Sequence, residues 1–363
     1  MKGRLYINGK FLCSPVTGVQ RYALEVLGQM DGLLAEPAYQ HLEVVCLVPP
    51  GSLSKPAWQR IILRQVGASP ANLWEQVELP FYARDGWLFS PANTGPVFFR
   101  KQVVTFHDAN VFAMPAAYSR LFRIKYYFIF NLLARLAKSI LTDSEFSRRE
   151  LAAYLGVDRQ RFAVILLGGD HLVRQAGDGR VLEKHKLIRG EYLLCVASRS
   201  RHKNFELIMR VADGLMPQVT FAAAGGRQAT IFASSGQEIA ADRLRFLGYV
   251  SDAELKTLYE NALGFVFPSL YEGFGIPLLE AMSLGCPVIT SNAASLPEVG
   301  GQAVSYFDPH DAGSLNAALV QFLEDADLRE ALKQRGLEQA GRFGWETCAR
   351  KTLTQILDCM DEG

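Results

Sequence analysis

The chain alternates between short apolar runs and longer segments in which apolar residues return every three or four positions. Runs at 4–8, 41–49, 102–106, 140–144 and 163–167 have the length and continuity of strands buried on both faces. Between the first two, Ala23, Val26, Leu27 and Met30 fall on one side of a helix beginning near Tyr22. Ser144 and Ser147 precede a helix over 148–155 that Gly156 closes. Residues 172–189 then lose apolar periodicity and carry Gly177, Gly179 and several charges, the pattern of a linker. Strand-like runs resume at 192–197, 219–224 and 244–248, a helix is expected over 251–262, and the tail at 343–357 is amphipathic. Both halves therefore predict an α/β protein of two doubly wound domains, 1–171 and 190–342, with 343–363 a final helix.

Residues 265–288, FVFPSLYEGFGIPLLEAMSLGCPV, change character four times. An apolar strand closes at Pro268-Ser269, and a loop broken by Gly273 and Gly275 follows. Pro277 suits the opening of a helix, Gly285 stops it, and a new strand begins from Cys286. Glu280 is expected in the first helical turn, where the helix dipole favours a carboxylate. Glu272 lies in the loop before the same helix start, where backbone N–H groups can receive a phosphate. Either glutamate alone reads as a dipole complement or a solvated loop residue; the pair around one helix start is less ordinary.

Composition narrows the class. The 363 residues are 49% hydrophobic and 21% charged, enough for two sizeable cores at roughly 150 residues per domain. A net charge of +1 argues against a protein that coats nucleic acid. Six cysteines show no CxxC pair, and Cys46, Cys195 and Cys286 sit in or beside strand-like runs, so they read as buried thiols. The opening MKGRLYINGKFL lacks the continuous apolar region of a signal peptide, and no run of about 20 apolar residues occurs. A cytoplasmic setting is expected.

Other candidates lie at expected strand ends. Gly18 stands in a strand-to-helix loop where a ligand can approach backbone, although taken alone a plain turn explains it better. His107-Asp108 stand beyond the strand 102–106, where open α/β sheets bind ligands; a structural His-Asp pair is the alternative. Ser198-Arg199-Ser200-Arg201-His202-Lys203-Asn204 follow the strand 192–197 and offer cations for a diphosphate, or a solvated turn. Residues 109–141 contain no acidic residue, and Arg120, Arg123, Arg135 and Lys138 recur at helical steps among Phe122, Ile124, Phe128 and Leu132. Such a helix suits an anionic membrane surface or, as the blander reading, a core with a polar stripe. Asp325-Ala-Asp327 falls in a polar break and reads as an exposed turn. Residues 74–76 and 88–93 carry no evident chemistry and read as packing.

The stretch from Glu272 to Glu280, in EGFGIPLLEAMSLGCPVI, resembles the signature of the GT-B retaining glycosyltransferases called family 4. The resemblance implies two Rossmann-like domains facing a central cleft, an acceptor-side domain at 1–171 and a nucleotide-sugar domain at 190–342. It further implies that Glu272 contacts the donor sugar and Glu280 the ribose hydroxyls, with Gly273, Phe274, Gly275 and Ile276 at the donor. A histidine at the position of His107 approaches the sugar, and Gly18 faces the donor phosphates. Lys203 matches the family's lysine at the leaving diphosphate; its arginine falls one place out of register, on Arg199, with Arg201 competing. Leu167-Gly168-Gly169-Asp170 departs from a loop that the family often writes Asn-Gly-Val-Asp.

Implied partners are a nucleotide-sugar donor, first GDP-mannose, and a glycan or lipid-linked oligosaccharide acceptor. Neither cofactor nor bound metal is implied, and no nucleic acid. The final helix is expected to cross back to the first domain, and peripheral contact with an anionic membrane stays open. Competing readings are a GT-B sugar-nucleotide 2-epimerase and a non-catalytic nucleotide-sugar sensor. A dinucleotide oxidoreductase is disfavoured, because no GxGxxG follows the first strand.

Overall fold

The computed structural model describes residues 3–52, 56–196, 200–212, 219–225 and 244–362. They form two compact units, one of residues 1–167 with 345–363 and the other of residues 168–344.

The first unit is built on a parallel sheet of seven strands: β1 Gly3–Asn8, β2 Leu42–Val48, β3 Ile62–Gln65, β4 Trp87–Ser90, β5 Gln102–Thr105, β6 Ser139–Thr142 and β7 Phe162–Val164. Their order is β3-β2-β1-β4-β5-β6-β7. Leu5 is opposite both Val44 and Trp87, which fixes the central register. The long apolar runs are explained by burial on both faces, as in β2, where every residue but Glu43 is buried. Helix Gly18–Leu33 opens with Gln20 Oε1 accepting from the Thr17 N–H at 3.2 Å. The helix Trp345–Asp361 belongs to this unit, where its fully buried Trp345 lies 6.4 Å from the Tyr22 ring.

The second unit carries a six-stranded parallel sheet: β8 Tyr192–Val196, β9 Thr220–Ala224, β10 Leu244–Gly248, β11 Gly264–Phe267, β12 Val288–Ser291 and β13 Ser305–Phe307. The order is β10-β9-β8-β11-β12-β13. Its core gathers Leu193, Cys195, Ile208, Phe221, Val266, Ile289, Leu319 and Phe322. Residues 172–189 are not featureless: helix Arg180–Lys184 lies within them. The Asp178 N–H donates to the Ala253 carbonyl at 3.0 Å, which ties this stretch to helix Asp252–Asn261.

Three strands escape the sequence pattern. β3 is a sheet edge with Ile62 46% exposed, β13 has three residues, and β4 hides in a stretch read as packing. Helix Ile276–Ser283 starts one residue before Pro277, so Glu280 lies in its second turn and not its first. The cause is Gly275, whose φ of +107° caps the helix in a conformation open to glycine. Asp325 is the N-cap of helix Ala326–Ala340, receiving the Leu328 N–H at 2.8 Å, which accounts for the polar break. All six cysteines are free and five are buried.

Candidate donor site

In the second sheet the chain leaves β8 for β9 and β10, then returns to β11 on the other side of β8. The carboxyl ends of β8 and β11 thus flank a topological switch point, the usual ligand position in open α/β sheets. The loops beyond these strands are joined: the Leu270 N–H donates to the His202 carbonyl at 2.7 Å. Lys203 Nζ donates to Glu272 Oε1 at 2.7 Å and lies 5.2 Å from the centre of the Phe267 ring. Both side chains are largely withdrawn from solvent, at 19% and 12% exposure, so the pair acts in a reduced dielectric.

The loop between Glu272 and the helix is held from behind. Ser295 Oγ donates to the carbonyls of Glu272 and Phe274, each at 2.9 Å. Phe274 is buried edge-on against Phe343, with ring centres 6.0 Å apart. A Cβ on Gly275 would stand 2.8 Å from Leu296 Cδ2, a second reason for glycine there. No side chain caps the helix at Gly275. Pro277 has no N–H, and the Leu278 N–H donates to the Gly275 carbonyl at 3.0 Å. What the helix start offers an anionic group is therefore its positive pole, not a row of open N–H groups.

Glu280 has a separate set of neighbours. Its Oε1 lies 3.2 Å from His171 Nε2, and its Oε2 accepts from the Tyr259 hydroxyl at 3.2 Å. Burial, then the Glu280 charge, push the Tyr259 phenol well above its ordinary range, so it remains a donor. Gly169 allows this assembly: a Cβ there would stand 2.4 Å from Leu279 Cβ and 3.0 Å from the Glu280 N. The loop can lie on the helix, and bring in His171, only without a side chain at 169. Sequence reasoning missed His171 and Tyr259. The signal for His171 was the Gly168-Gly169-Asp170 departure immediately before it.

Two expected site residues are in the first unit. Gly18 opens helix Gly18–Leu33, exposed, with nothing within 4 Å of a Cβ placed on it. His107 is buried beyond β5. Its Nδ1 lies 2.8 Å from Asp143 Oδ2 and its Nε2 lies 2.9 Å from the Pro91 carbonyl. Asn93 Oδ1 accepts from the His107 N–H at 2.8 Å, and the Tyr22 ring meets the imidazole edge-on at 4.7 Å. Burial opposes the imidazolium, but the Asp143 charge and hydrogen bond and the Pro91 carbonyl outweigh it, so the His107 pKa is raised. The stretch 88–93, read as packing, thus supplies Pro91 and Asn93 to the surroundings of His107. Arg199 lies outside the described residues; Arg201 is exposed in the turn Arg201–Lys203. No group of His, Cys, Asp and Glu among the described residues is arranged to hold a metal ion.

Comparison with known proteins places this architecture. The family described as Glycosyl transferases group 1 matches residues 182–339. O-antigen chain mannosyltransferase B of Escherichia coli is 32% identical over 93% of this chain and 95% of its own length. O-antigen chain mannosyltransferase RfbU of Salmonella typhimurium is 29% identical over 62% of this chain and 63% of its own. Among solved structures, sucrose-phosphate synthase from Thermosynechococcus elongatus superimposes with a TM-score of 0.78 at 16% identity, covering 100% of both chains. WaaG, a glycosyltransferase involved in lipopolysaccharide biosynthesis, does so with a TM-score of 0.74 at 16% identity, over 97% of this chain and 99% of its own. The two Rossmann-like sheets are those of the GT-B class. The chain belongs to the group 1 glycosyltransferase family.

Proposed function

We propose that the protein is a retaining, metal-independent hexosyltransferase that moves mannose from GDP-mannose to a glycan or lipid-linked oligosaccharide of a surface polysaccharide. The observation that carries this reading is the Lys203–Glu272 contact beside the uncapped helix start at the β8/β11 switch point. The choice of mannose is supported by the names of the two mannosyltransferase relatives.

In this reading the leaving diphosphate is held by Lys203, Arg199 and the backbone from Gly273 to Ile276, which offset the charge that develops as the C1–oxygen bond breaks. Glu280 grips the ribose hydroxyls. Glu272 exchanges part of its hold on Lys203 for the sugar hydroxyls and stabilises positive charge at C1. The acceptor oxygen bonds to C1 on the face that the diphosphate leaves, and its proton passes to the departing phosphate oxygen. His107 orients the sugar, which requires a sugar hydroxyl to replace the Pro91 carbonyl at Nε2. Gly18 leaves backbone accessible to the donor phosphates.

Peripheral membrane contact fits the helix Arg120–Leu136. Among its residues only Phe130, Leu133 and Ala134 are buried, while Leu121 is 82% and Phe128 60% exposed beside Arg120 and Lys125. No described helix is long and apolar enough to cross a membrane. An exposed apolar face flanked by cations suits the interface of an anionic bilayer on the cytoplasmic side.

The test is Glu272→Ala. Transfer is expected to fall by about 100-fold or more, while GDP binding by calorimetry holds within a few-fold. Near-wild-type turnover would sink the assignment. Incubating the donor alone separates transfer from 2-epimerisation, and NMR of the product's anomeric centre tests retention.

A further inference from the structure

The residues 74–76 take no part in the donor site, yet they stand at the other sheet's switch point. From β1 the chain runs to β2 and β3, then returns to β4 on the opposite side of β1. Beyond the carboxyl ends of β1 and β4 lies a cavity of about 120 Å³, several times the space one water needs. Asn8, Lys10, Glu75 and Thr94 line it, with Ser14 and Gln20 towards solvent.

Glu75 is the centre of this wall and is only 2% exposed. Its Oε1 accepts from Asn8 Nδ2 at 2.9 Å and from Thr94 Oγ1 at 2.8 Å, and its Oε2 accepts from Lys10 Nζ at 2.8 Å. The neighbours of Glu75 already brace this region. Trp74, fully buried, donates from Nε1 to the Val66 carbonyl at 2.8 Å; Gln76 holds the Gly95 carbonyl at 2.9 Å and the Val97 N–H at 3.1 Å. Withdrawing a carboxylate and an ammonium from water costs several kcal/mol, and apolar residues of similar size often serve stability as well or better. The ion pair is therefore weak as a brace. It is well suited to ligand recognition.

The chemistry selects the ligand. Lys10 and Glu75 cancel, so the cavity offers no net charge to a phosphate, and Glu75 repels one. Hydroxyl groups, which donate and accept together, match a carboxylate, an ammonium and a threonine hydroxyl set side by side. We infer that this cavity is a sugar subsite of the first unit, taking the hydroxyl-bearing edge of a neutral pyranose. That the pyranose belongs to the acceptor glycan rests on the proposed function; that the cavity binds a pyranose does not.

Saturation-transfer NMR without nucleotide tests the subsite, using a panel of mannose, glucose and galactose trisaccharides. At least one should bind the wild-type protein. Glu75→Gln, nearly isosteric, and Ser14→Trp, which fills the mouth from an exposed position, should each weaken it by about tenfold or more. The same variants should raise the KM for that acceptor and leave GDP binding unchanged. If Glu75→Gln does not fold, Ser14→Trp alone decides. No binding across the panel, or equal affinity in the variants, overturns the subsite. Trisaccharide binding lost in both variants of a protein that transfers from no nucleotide sugar would keep the subsite and sink the function. Transfer with unchanged acceptor KM would do the reverse.

Discussion

Glu272 and Glu280 bracket one helix start, yet each has its own partners. Glu272 is balanced by Lys203, while Glu280 lies between the His171 imidazole and the Tyr259 phenol. The second arrangement depends on a residue with no side chain. Gly169→Val would drive its Cβ into Leu279, lift the loop and displace His171. We expect GDP affinity to fall by about tenfold, read by calorimetry, with the helical content of the circular dichroism spectrum kept. His107 gives a prediction of different kind. Its pKa is raised in the folded protein, so its stabilising charge is fully present below the ordinary histidine value of about 6.5 and is lost as pH rises through the raised value. The melting-temperature gap between wild type and His107→Gln should be widest near pH 6 and narrow toward pH 9. A gap that widens with pH would overturn this account of the Asp143–His107–Pro91 line.

Among the elements, the helix Arg120–Leu136 departs most from an ordinary core helix, because its apolar residues face both inward and outward. Phe128→Ser with Leu121→Ser should cut sedimentation with phosphatidylglycerol vesicles by more than half, while the melting temperature stays within about 2 °C, since both side chains are exposed. Equal sedimentation would remove the membrane reading. Sequence periodicity exposes the acidic-free run, but it does not tell a polar stripe on a core helix from a basic rim around an exposed apolar face. Only the packing partners do. The same limit explains the rest of what sequence conceals. β2 and β8 are legible because burial on both faces makes them apolar nearly throughout, with Glu43 the one charged residue in the two strands. β3 is not, because a sheet edge leaves Ile62 half in water. The loop and helix start between Glu272 and Glu280 are legible because Gly273, Gly275 and Pro277 punctuate them locally, whereas Lys203 reaches Glu272 from 69 positions away. Asp143 and Tyr259 are not, because they reach His107 and Glu280 from 36 and 21 positions away.

On the scale of the whole molecule, each sheet gathers charged side chains at its switch point by different means. In the second unit a cation and a carboxylate pair in the loops before a glycine-capped helix; in the first, a compensated ion pair lines a small cavity. The first unit also depends on a residue far along the chain: Trp345 is fully buried within it, and Trp345→Ala should cost about 3–5 kcal/mol. Calorimetry should show the loss in one transition if the units melt separately. That dependence has a consequence for biosynthesis. The unit formed by residues 168–344 is one unbroken segment, whereas the other needs residues 1–167 and 345–363 together. As the chain leaves the ribosome, the half made second can be finished first. The half made first must wait, incompletely covered, for the last helix. A fragment of residues 168–344 should melt cooperatively by itself, and a fragment of residues 1–167 should bind a hydrophobic dye or aggregate. A stop codon at 345 would then spare the unit of residues 168–344 beside it and cripple the one translated before it.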